Sequence, residues 1–247
     1  MCNFAGKLKR LSMTFKGIET LRKAATKLRN LARRIYVGIT YRMVQFIDVI
    51  HDIRLCGYDM SRKRDVQVEG AINYMPSRYW ALDKIFKDAI FTPADCFVDI
   101  GCGMGRVLAY LLEKKFPGHL TGIEKDPYVA GIARKWMAKY NDRQVELIEG
   151  NALEQQYNGY TIIYVFRPFS EVFFERLILK LEEQLTHPIR FYYLTDHQSV
   201  HFLKGRRGWK IIKRDSIYRK YGLCIWKCPQ YYSIWNYIPS LATNADA

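Results

Sequence analysis

Apolar residues recur at helical spacing over about the first fifty residues of the chain. Most intervals are three or four positions, with one gap of seven, and the stripe comprises Leu8, Leu11, Phe15, Ile18, Ala25, Leu28, Ala32 and Ile35. Leu21 and Leu31 widen it. Because this spacing places side chains on one face of an α-helix, the pattern predicts an amphipathic helix over residues 5–50.

A second pattern follows the polar residues 61–78, which are predicted to form a loop. Ser77 is the predicted N-cap of a helix from Trp80 to about Ala89. Short apolar runs then alternate with amphipathic stretches. The runs predict strands at 94–100, 120–124, 145–149, 161–166, 189–194, 209–216 and 222–227, and the stretches predict helices at 106–115, 127–140 and 170–183. This alternation predicts an α/β fold, with helices on both faces of a mainly parallel sheet.

The first strand of this pattern ends in a glycine-rich turn. Residues 97–100 are apolar except for Asp99, and glycines follow at 101, 103 and 105 before a helix begins. Glycine permits positive φ angles and close approach of a ligand, and the helix start offers free N–H groups. The segment therefore predicts a loop that binds a nucleotide-like ligand at the carboxyl ends of the strands.

Details of the turn exclude two common nucleotide sites. A dinucleotide loop has the spacing G-x-G-x-x-G, whereas here the third glycine comes one residue early and Arg106 stands in its place. A Walker loop needs Gly-Lys-Ser/Thr, which is absent. The carboxylate of Asp99 would repel a pyrophosphate and would suit a ligand with a cationic group.

The pattern D-x-G-x-G-x-G resembles the first motif of the class I S-adenosylmethionine (SAM)-dependent methyltransferases.

The resemblance extends over residues 74–228 and implies a Rossmann-like methyltransferase fold. That fold is a doubly wound, mainly parallel seven-stranded sheet closed by an antiparallel hairpin, here with an N-terminal helical extension. SAM is the implied cofactor. The implied cofactor-binding residues are Asp99, Gly101, Cys102, Gly103, Gly105, Glu124, Lys125, Asn151, Ala152 and Phe166, together with Tyr74 and Ser77. Glu124 corresponds to the acid that binds the ribose, and Asn151 and Ala152 to the turn beside the adenine.

Two segments carry the remaining expectations about the site. Tyr74 and Ser77 resemble a Y-x-P-[ST] element that covers the cofactor, although a plain helix entry explains them equally well. Phe166-Arg167-Pro168-Phe169 resembles the [DNS]-P-P-[YFW] motif of amino-group methyltransferases. Arg167 only donates hydrogen bonds, so it cannot hold an amino group by accepting its protons. It either clamps a carboxylate or phosphate of the acceptor or is a surface arginine beside a structural proline.

The candidate catalytic residues are accordingly Arg167, Pro168, Phe169 and His197. His197 follows the fifth strand and is either a general base for a hydroxyl acceptor or polar surface. The six cysteines, at 2, 56, 96, 102, 224 and 228, show no metal-binding spacing, and we expect no metal site.

The net charge of +15 is concentrated near the N-terminus. Residues 1–45 contain eleven basic residues and one acid, Glu19. Three interpretations of this basic helix stay open: it lies on an anionic membrane, it grips nucleic acid phosphates, or it packs on the catalytic domain or a partner subunit. Nucleic acid is the least favoured partner, since aromatic residues that stack on bases are sparse before Tyr36.

These features predict a division of the chain into a basic helical extension at 1–60, a linker or lid at 61–79, a methyltransferase domain at 80–236 and a tail at 237–247, of which residues 241–247 are expected to be frayed. No apolar run of about 18 residues and no signal peptide are evident, and unpaired cysteines suit the cytoplasm, where the protein is expected to be free or membrane-associated.

The expected function is methyl transfer from SAM to a small molecule or an envelope-related precursor. One alternative is a protein or RNA methyltransferase whose basic extension binds the acidic macromolecule. The other is a SAM-binding module without catalysis.

Overall fold

The computed structural model describes residues 2–61, 75–140, 144–166, 170–197, 199–217 and 231–243. Seven strands are present in this part of the chain: β1 Cys96–Ile100, β2 His119–Glu124, β3 Val145–Glu149, β4 Ile162–Phe166, β5 Ile189–Leu194, β6 Trp209–Ser216 and β7 Tyr231–Tyr237. Six α-helices accompany them: α1 Cys2–Cys56, α2 Tyr79–Ile85, α3 Arg106–Glu113, α4 Pro127–Met137, α5 Glu171–Gln184 and α6 Pro239–Thr243. No described helix is long and apolar enough to cross a membrane.

The seven strands form one sheet in the order β3-β2-β1-β4-β5-β7-β6. Strands β1 to β5 are parallel, and β7 pairs antiparallel with both β5 and β6. The strand order reverses between β1 and β4, because β2 and β3 lie on one side of β1 and the later strands on the other. The doubly wound, mainly parallel seven-stranded sheet predicted from the sequence is confirmed.

Helices cover both faces of the sheet because alternate strand residues point to opposite sides. Phe97, Leu120 and Tyr164 point toward α2, α3, α4 and the end of α1, and they form one core cluster with them. Val98, Ile163 and Phe191 point to the other face, where α5 packs against them with four buried apolar residues. Each of the parallel strands β1 to β5 thus contributes to two cores, as a parallel sheet requires.

Several element boundaries differ from the predictions. Helix α2 begins at Tyr79 with Arg78 as its N-cap, so the predicted cap at Ser77 is wrong. The Ser77 hydroxyl instead hydrogen-bonds the Tyr164 hydroxyl at 2.8 Å, which removes it from the helix end. Helix α2 also ends at Ile85 rather than Ala89, because the chain turns at the buried Phe86.

The last strand lies later in the chain than predicted. Its sequence, Tyr231–Tyr237, alternates between half-buried and buried residues along part of its length and pairs with β5 over six positions. The predicted strand at 222–227 lies outside the described residues. Within the segment predicted as a tail, α6 spans Pro239–Thr243, and Ala242 packs against the core cluster that contains Tyr237.

The chain forms two compact units, residues 1–46 and residues 47–247. Helix α1 was predicted over residues 5–50 and is longer, at Cys2–Cys56. Its last ten residues, 47–56, belong to the second unit, where Asp48, Asp52 and Cys56 are buried. The second unit therefore begins before residue 60.

Candidate functional site

The predicted site residues that the structure describes lie mostly at the carboxyl ends of parallel strands. Gly101 follows β1, Glu124 ends β2, Asn151 follows β3 and Phe166 ends β4. β1 occupies the centre of this row, next to the point where the strand order reverses. In open α/β sheets, ligands bind in the crevice outside this edge.

The glycine turn has the backbone conformation predicted for it. Gly101, Gly103 and Gly105 have φ angles of 72°, 58° and 85°, a region that side chains other than glycine rarely adopt. The N–H groups of Gly101 and Cys102 both donate to the carbonyl oxygen of Ile123 at 2.9 Å. These hydrogen bonds attach the turn to the end of β2, so that the α3 N-terminus is held at the crevice.

A tryptophan that the sequence did not single out fixes the end of this turn. The Trp136 indole nitrogen of α4 donates to the Met104 carbonyl oxygen at 2.8 Å. A Cβ atom at Gly105 would lie 2.7 Å from Cζ2 of Trp136, well inside van der Waals contact. Gly105 therefore satisfies a steric requirement as well as a conformational one. A glycine next to a helix start signals a close neighbour, but sequence alone does not identify Trp136 as that neighbour.

Cys102 fills the space beside the middle of β2. A Cβ atom at Gly122 would lie 2.7 Å from the Cys102 Sγ atom and 2.8 Å from Cδ1 of Leu108. The thiol is buried, and burial raises its pKa well above the usual range. Cys102 therefore packs as a small neutral side chain. It fills the space that a side chain at position 122 would otherwise occupy.

Glu124 joins the end of β2 to the glycine turn. Its Oε2 atom accepts a hydrogen bond from the backbone N–H of Gly103, and its Oε1 atom accepts one from the backbone N–H of Asp126, each at 2.8 Å. Burial nevertheless raises the pKa of Glu124 above its ordinary value. Each carboxylate oxygen can accept more than one hydrogen bond, so the group has capacity left for the hydroxyls of a ligand.

Asp99 is a buried acid in the centre of the sheet edge. It lies opposite Gly122 of β2 and Tyr164 of β4, and only 3% of its surface is exposed. Burial, and in addition the negative charge of Glu124, raises the pKa of Asp99 well above its usual range. Among the described residues, no hydrogen bond to the Asp99 carboxyl group is found. A cationic group beside Asp99 and Glu124 would offset both the burial and the repulsion.

Asn151 has the local role of a turn residue. Its Oδ1 atom accepts a hydrogen bond from the Leu153 N–H at 3.0 Å, and its Nδ2 atom donates to Glu154 at 2.9 Å. The neighbouring Ala152 is buried, and its carbonyl oxygen accepts from the Tyr157 hydroxyl at 2.7 Å. These contacts hold the turn after β3, while the expected contact with an adenine stays a prediction.

Arg106, which stands where a dinucleotide loop has glycine, is almost completely buried. Its Nε atom donates to Oδ1 of Asp52 at 2.9 Å, and its Nη2 atom donates to Oδ2. Its Nη1 atom donates to the Ser77 carbonyl oxygen at 3.1 Å. The Tyr79 hydroxyl also donates to Asp52. This ionic cluster of Arg106, Asp52, Ser77 and Tyr79 connects the first turn of α3 to the end of α1 and the start of α2.

Sequence reasoning missed this ionic cluster, although a signal for it exists. Residues 1–45 contain a single acid, and then Asp48 and Asp52 appear four positions apart, which places them on one helix face. Two neighbouring acids on an otherwise basic, apolar-striped helix indicate a buried cation elsewhere in the chain.

The acceptor side of the crevice is described only in part. Tyr74, Arg167, Pro168 and Phe169 lie outside the described residues, so their roles stay predictions. Phe166 is half-buried at the end of β4, and the side chain of Lys125 is exposed beside Glu124.

His197 is exposed after β5, and its predicted role as a base stays a prediction. The preceding Asp196 is fully buried and accepts hydrogen bonds from Nε and Nη2 of Arg214 at 2.8 and 3.0 Å. This ion pair ties the end of β5 to β6, next to Thr195, whose φ angle is 60°. No cluster of three or more metal-ligating side chains occurs in the described part of the chain.

Solved structures resemble this fold at low sequence identity. Phosphoethanolamine N-methyltransferase 1 of Haemonchus contortus, solved with phosphoethanolamine and S-adenosylhomocysteine, is 13% identical over 65% of this chain, with a TM-score of 0.54. The match spans only 42% of that enzyme. The cyclase SpnF is 12% identical, with 80% of this chain and 96% of that chain covered and a TM-score of 0.52.

A third structure, geranyl diphosphate C-methyltransferase of Streptomyces coelicolor A3(2), is 12% identical over 65% of this chain and 79% of its own, with a TM-score of 0.50. No protein-family model matches the chain. No curated protein sequence matches it either. At these identities the likeness is one of fold, and it includes one protein described as a cyclase rather than a methyltransferase.

Proposed function

Because the chain has the fold of the class I SAM-dependent methyltransferases, we propose that it binds SAM and transfers its methyl group to an acceptor. The observation that carries the proposal is the pair of acids, the buried Asp99 and the half-buried Glu124, around a glycine turn with three positive φ angles. Two acids of raised pKa in one crevice disfavour a phosphate-rich ligand. They favour a ligand with a cationic group and hydroxyl groups.

Each residue of the crevice has a distinct task in this proposal. The glycine turn lets the backbone approach the ligand closely. Glu124 accepts hydrogen bonds from the ribose hydroxyls of SAM, through the carboxylate lone pairs that the backbone N–H groups of Gly103 and Asp126 do not use. Asp99 binds the positively charged amino group of the methionine part of SAM. When bound, SAM supplies a methyl group already activated by its sulfonium. Since the methyl group is activated, the chain's main contribution to rate is to position the acceptor in line with it.

Calorimetry with SAM tests the binding step. Asp99→Ala and Glu124→Ala are each expected to weaken binding by a few kcal/mol at most, because each removes one charge or hydrogen-bonding partner of the ligand. Glu183→Ala is the matched control: it removes an exposed carboxylate at the end of α5 and is expected to leave affinity unchanged. Absence of SAM binding by the unaltered chain would refute the proposal.

The acceptor we propose is a small molecule or an envelope-related precursor. Arg167, which only donates hydrogen bonds, supports an acceptor with a carboxylate or phosphate over one held by its amino group. Transfer of a labelled methyl group into fractionated cell extract tests this: label in the small-molecule or lipid fraction supports the proposal. Label in protein or RNA would instead support a macromolecular acceptor held by the basic extension.

A binding module without catalysis is the second candidate function. The glycine turn, Asp99 and Glu124 account for cofactor binding alone, and the acceptor-side candidates Arg167, Pro168 and Phe169 lie outside the described residues. SAM binding in calorimetry combined with no label in any fraction of the extract would support the module. The expected cytoplasmic location stays a prediction.

A further inference from the structure

The first compact unit carries a continuous apolar face that is open to solvent. Nine large apolar side chains between residues 18 and 46 are between 53% and 71% exposed. They are Ile18, Leu21, Leu28, Leu31, Ile35, Tyr36, Ile39, Met43 and Phe46. At about 100° per residue they occupy an arc of roughly 140° over a length of about 40 Å. An exposed apolar surface of this extent marks an interaction site.

The opposite side of the same stretch is basic. Its exposed cations are Arg22, Lys23, Lys27, Arg29, Arg33, Arg34 and Arg42. All except Arg42 fall outside the apolar arc, and Arg42 lies within it, at an angle around the helix axis between those of Leu31 and Ile35. Arginine buries its methylenes along an apolar surface and keeps its guanidinium at the polar boundary, so Arg42 is compatible with that position. The single acid of the stretch, Glu19, forms an ion pair with Lys23 at 2.8 Å.

We propose that residues 18–46 bind the surface of an anionic lipid bilayer, lying in its plane with the apolar arc among the acyl chains. Charge complementarity selects this occupant, because a negatively charged headgroup layer meets the cations while the layer beneath it receives the apolar arc. A partner that fits must pair with the cations and cover the apolar arc of one helix at the same time. An anionic bilayer provides both contacts.

The competing occupants each leave one face unsatisfied. A second copy of the helix would cover the apolar arc, but it would bring seven more cations and no free acid to pair with them. The arc is also wider than the two-position seam of a coiled coil. Nucleic acid would neutralise the cations and leave the large apolar side chains in water.

Vesicle sedimentation with the full chain tests the proposal. The chain is expected to sediment with vesicles of phosphatidylcholine and phosphatidylglycerol in equal parts, and much less with phosphatidylcholine alone. Raising the salt concentration should weaken the binding, since the electrostatic contribution is screened. Sedimentation measures lipid binding directly, so the result does not depend on SAM or on methyl transfer.

Two pairs of variants separate the contributions of the two faces. Leu21→Gln with Leu28→Gln is expected to weaken vesicle binding by about tenfold or more, because both side chains lie in the apolar arc. Thr26→Gln with Asn30→Gln changes the polar face by the same substitution and should have little effect. Glutamine is a good helix former, and far-ultraviolet circular dichroism checks that the helix persists.

For the cations, Lys27→Gln with Arg33→Gln and Arg34→Gln should weaken binding to anionic vesicles by about a hundredfold. The charge-keeping variant Lys27→Arg with Arg33→Lys and Arg34→Lys should bind as the unaltered chain does. Equal binding to neutral and anionic vesicles, or no sedimentation with either, would overturn the proposal. A dimer in ultracentrifugation that dissociates in the leucine variant, without vesicle binding, would assign the face to a second copy.

Discussion

At the scale of single residues, the crevice is defined by groups whose ionisation is unfavourable. Asp99 is buried in the row of strand ends, and its raised pKa is explained by lost hydration and by the charge of Glu124. The sequence identified Asp99 and Glu124 because each lies at or near the end of an apolar run beside a turn. It did not indicate that the two carboxyl groups repel each other, since their separation depends on strand pairing.

Replacing Asp99 with asparagine is expected to stabilise the ligand-free chain at neutral pH. An acid with a raised pKa contributes full stability below its ordinary pKa and loses it as the pH rises toward the raised value. The gain in the free energy of unfolding from Asp99→Asn should therefore shrink as the pH falls. Urea unfolding at neutral and acidic pH measures it.

The control for this experiment is Asp88→Asn, which should have the opposite and smaller effect. Asp88 is exposed and paired with Lys213, and that pairing lowers its pKa. Its stabilising contribution is therefore present above the ordinary pKa and lost in acid. Greater stability of both variants at neutral pH would contradict the assignment for Asp99.

Gly105→Ala is expected to lower the free energy of unfolding by about 2 kcal/mol or more. The residue has a φ angle of 85°, and its new Cβ atom would overlap the Trp136 ring. Gly131→Ala is the control, because Gly131 lies within α4 with no heavy atom within 4 Å of an added Cβ. It should raise stability by up to about 1 kcal/mol. Thermal or urea unfolding compares the two variants.

At the scale of elements, local sequence determined most strands but not the contacts between distant elements. The strands at 145–149 and 189–194 match their predictions to the residue, because each is a short segment rich in apolar residues and bounded by polar residues or turns. Strand β7 was missed because its position depends on pairing with β5, which is remote in sequence. Likewise, Arg106 is evident in the sequence after the glycine turn, but its burial and its partner Asp52, which is 54 residues away, are not.

The Arg106–Asp52 pair is expected to show strong coupling in a double-mutant cycle. Arg106→Met or Asp52→Leu alone should cost about 3–5 kcal/mol of unfolding free energy, because each leaves a buried charge without its partner. The double variant should cost less than the sum of the two, since neither charge remains. Urea unfolding provides the three values. Simple additivity would show that the two side chains act independently.

At the scale of the whole molecule, the predicted fold is confirmed, and the predicted division of the chain stays a prediction. The sheet and its helical cover follow from the alternation of patterns. The boundary of the second unit cannot be read from these patterns, since α1 continues without a break through residues 46 and 47. Helical periodicity persists there, and only the buried acids Asp48 and Asp52 distinguish the last turns from the rest.

Two truncations test this division. A variant that lacks residues 1–46 is expected to unfold cooperatively, within about 1 kcal/mol of the full chain, because residues 47–247 form a compact unit. A variant that lacks residues 1–60 loses Asp52 and buried core side chains and should be less stable by about 3 kcal/mol or more. Circular dichroism during urea unfolding follows both. Equal stability of the two variants would place the boundary near residue 60.

The contact between Cys102 and the bare backbone of Gly122 has a consequence for evolution. Two positions twenty residues apart share one small volume, which Leu108 also borders. A larger residue at position 122 therefore requires a smaller one at 102, at 108 or at both. Relatives of this chain should show compensating substitutions at these three positions, so an alignment deep enough to measure covariation would identify the contact without any structure.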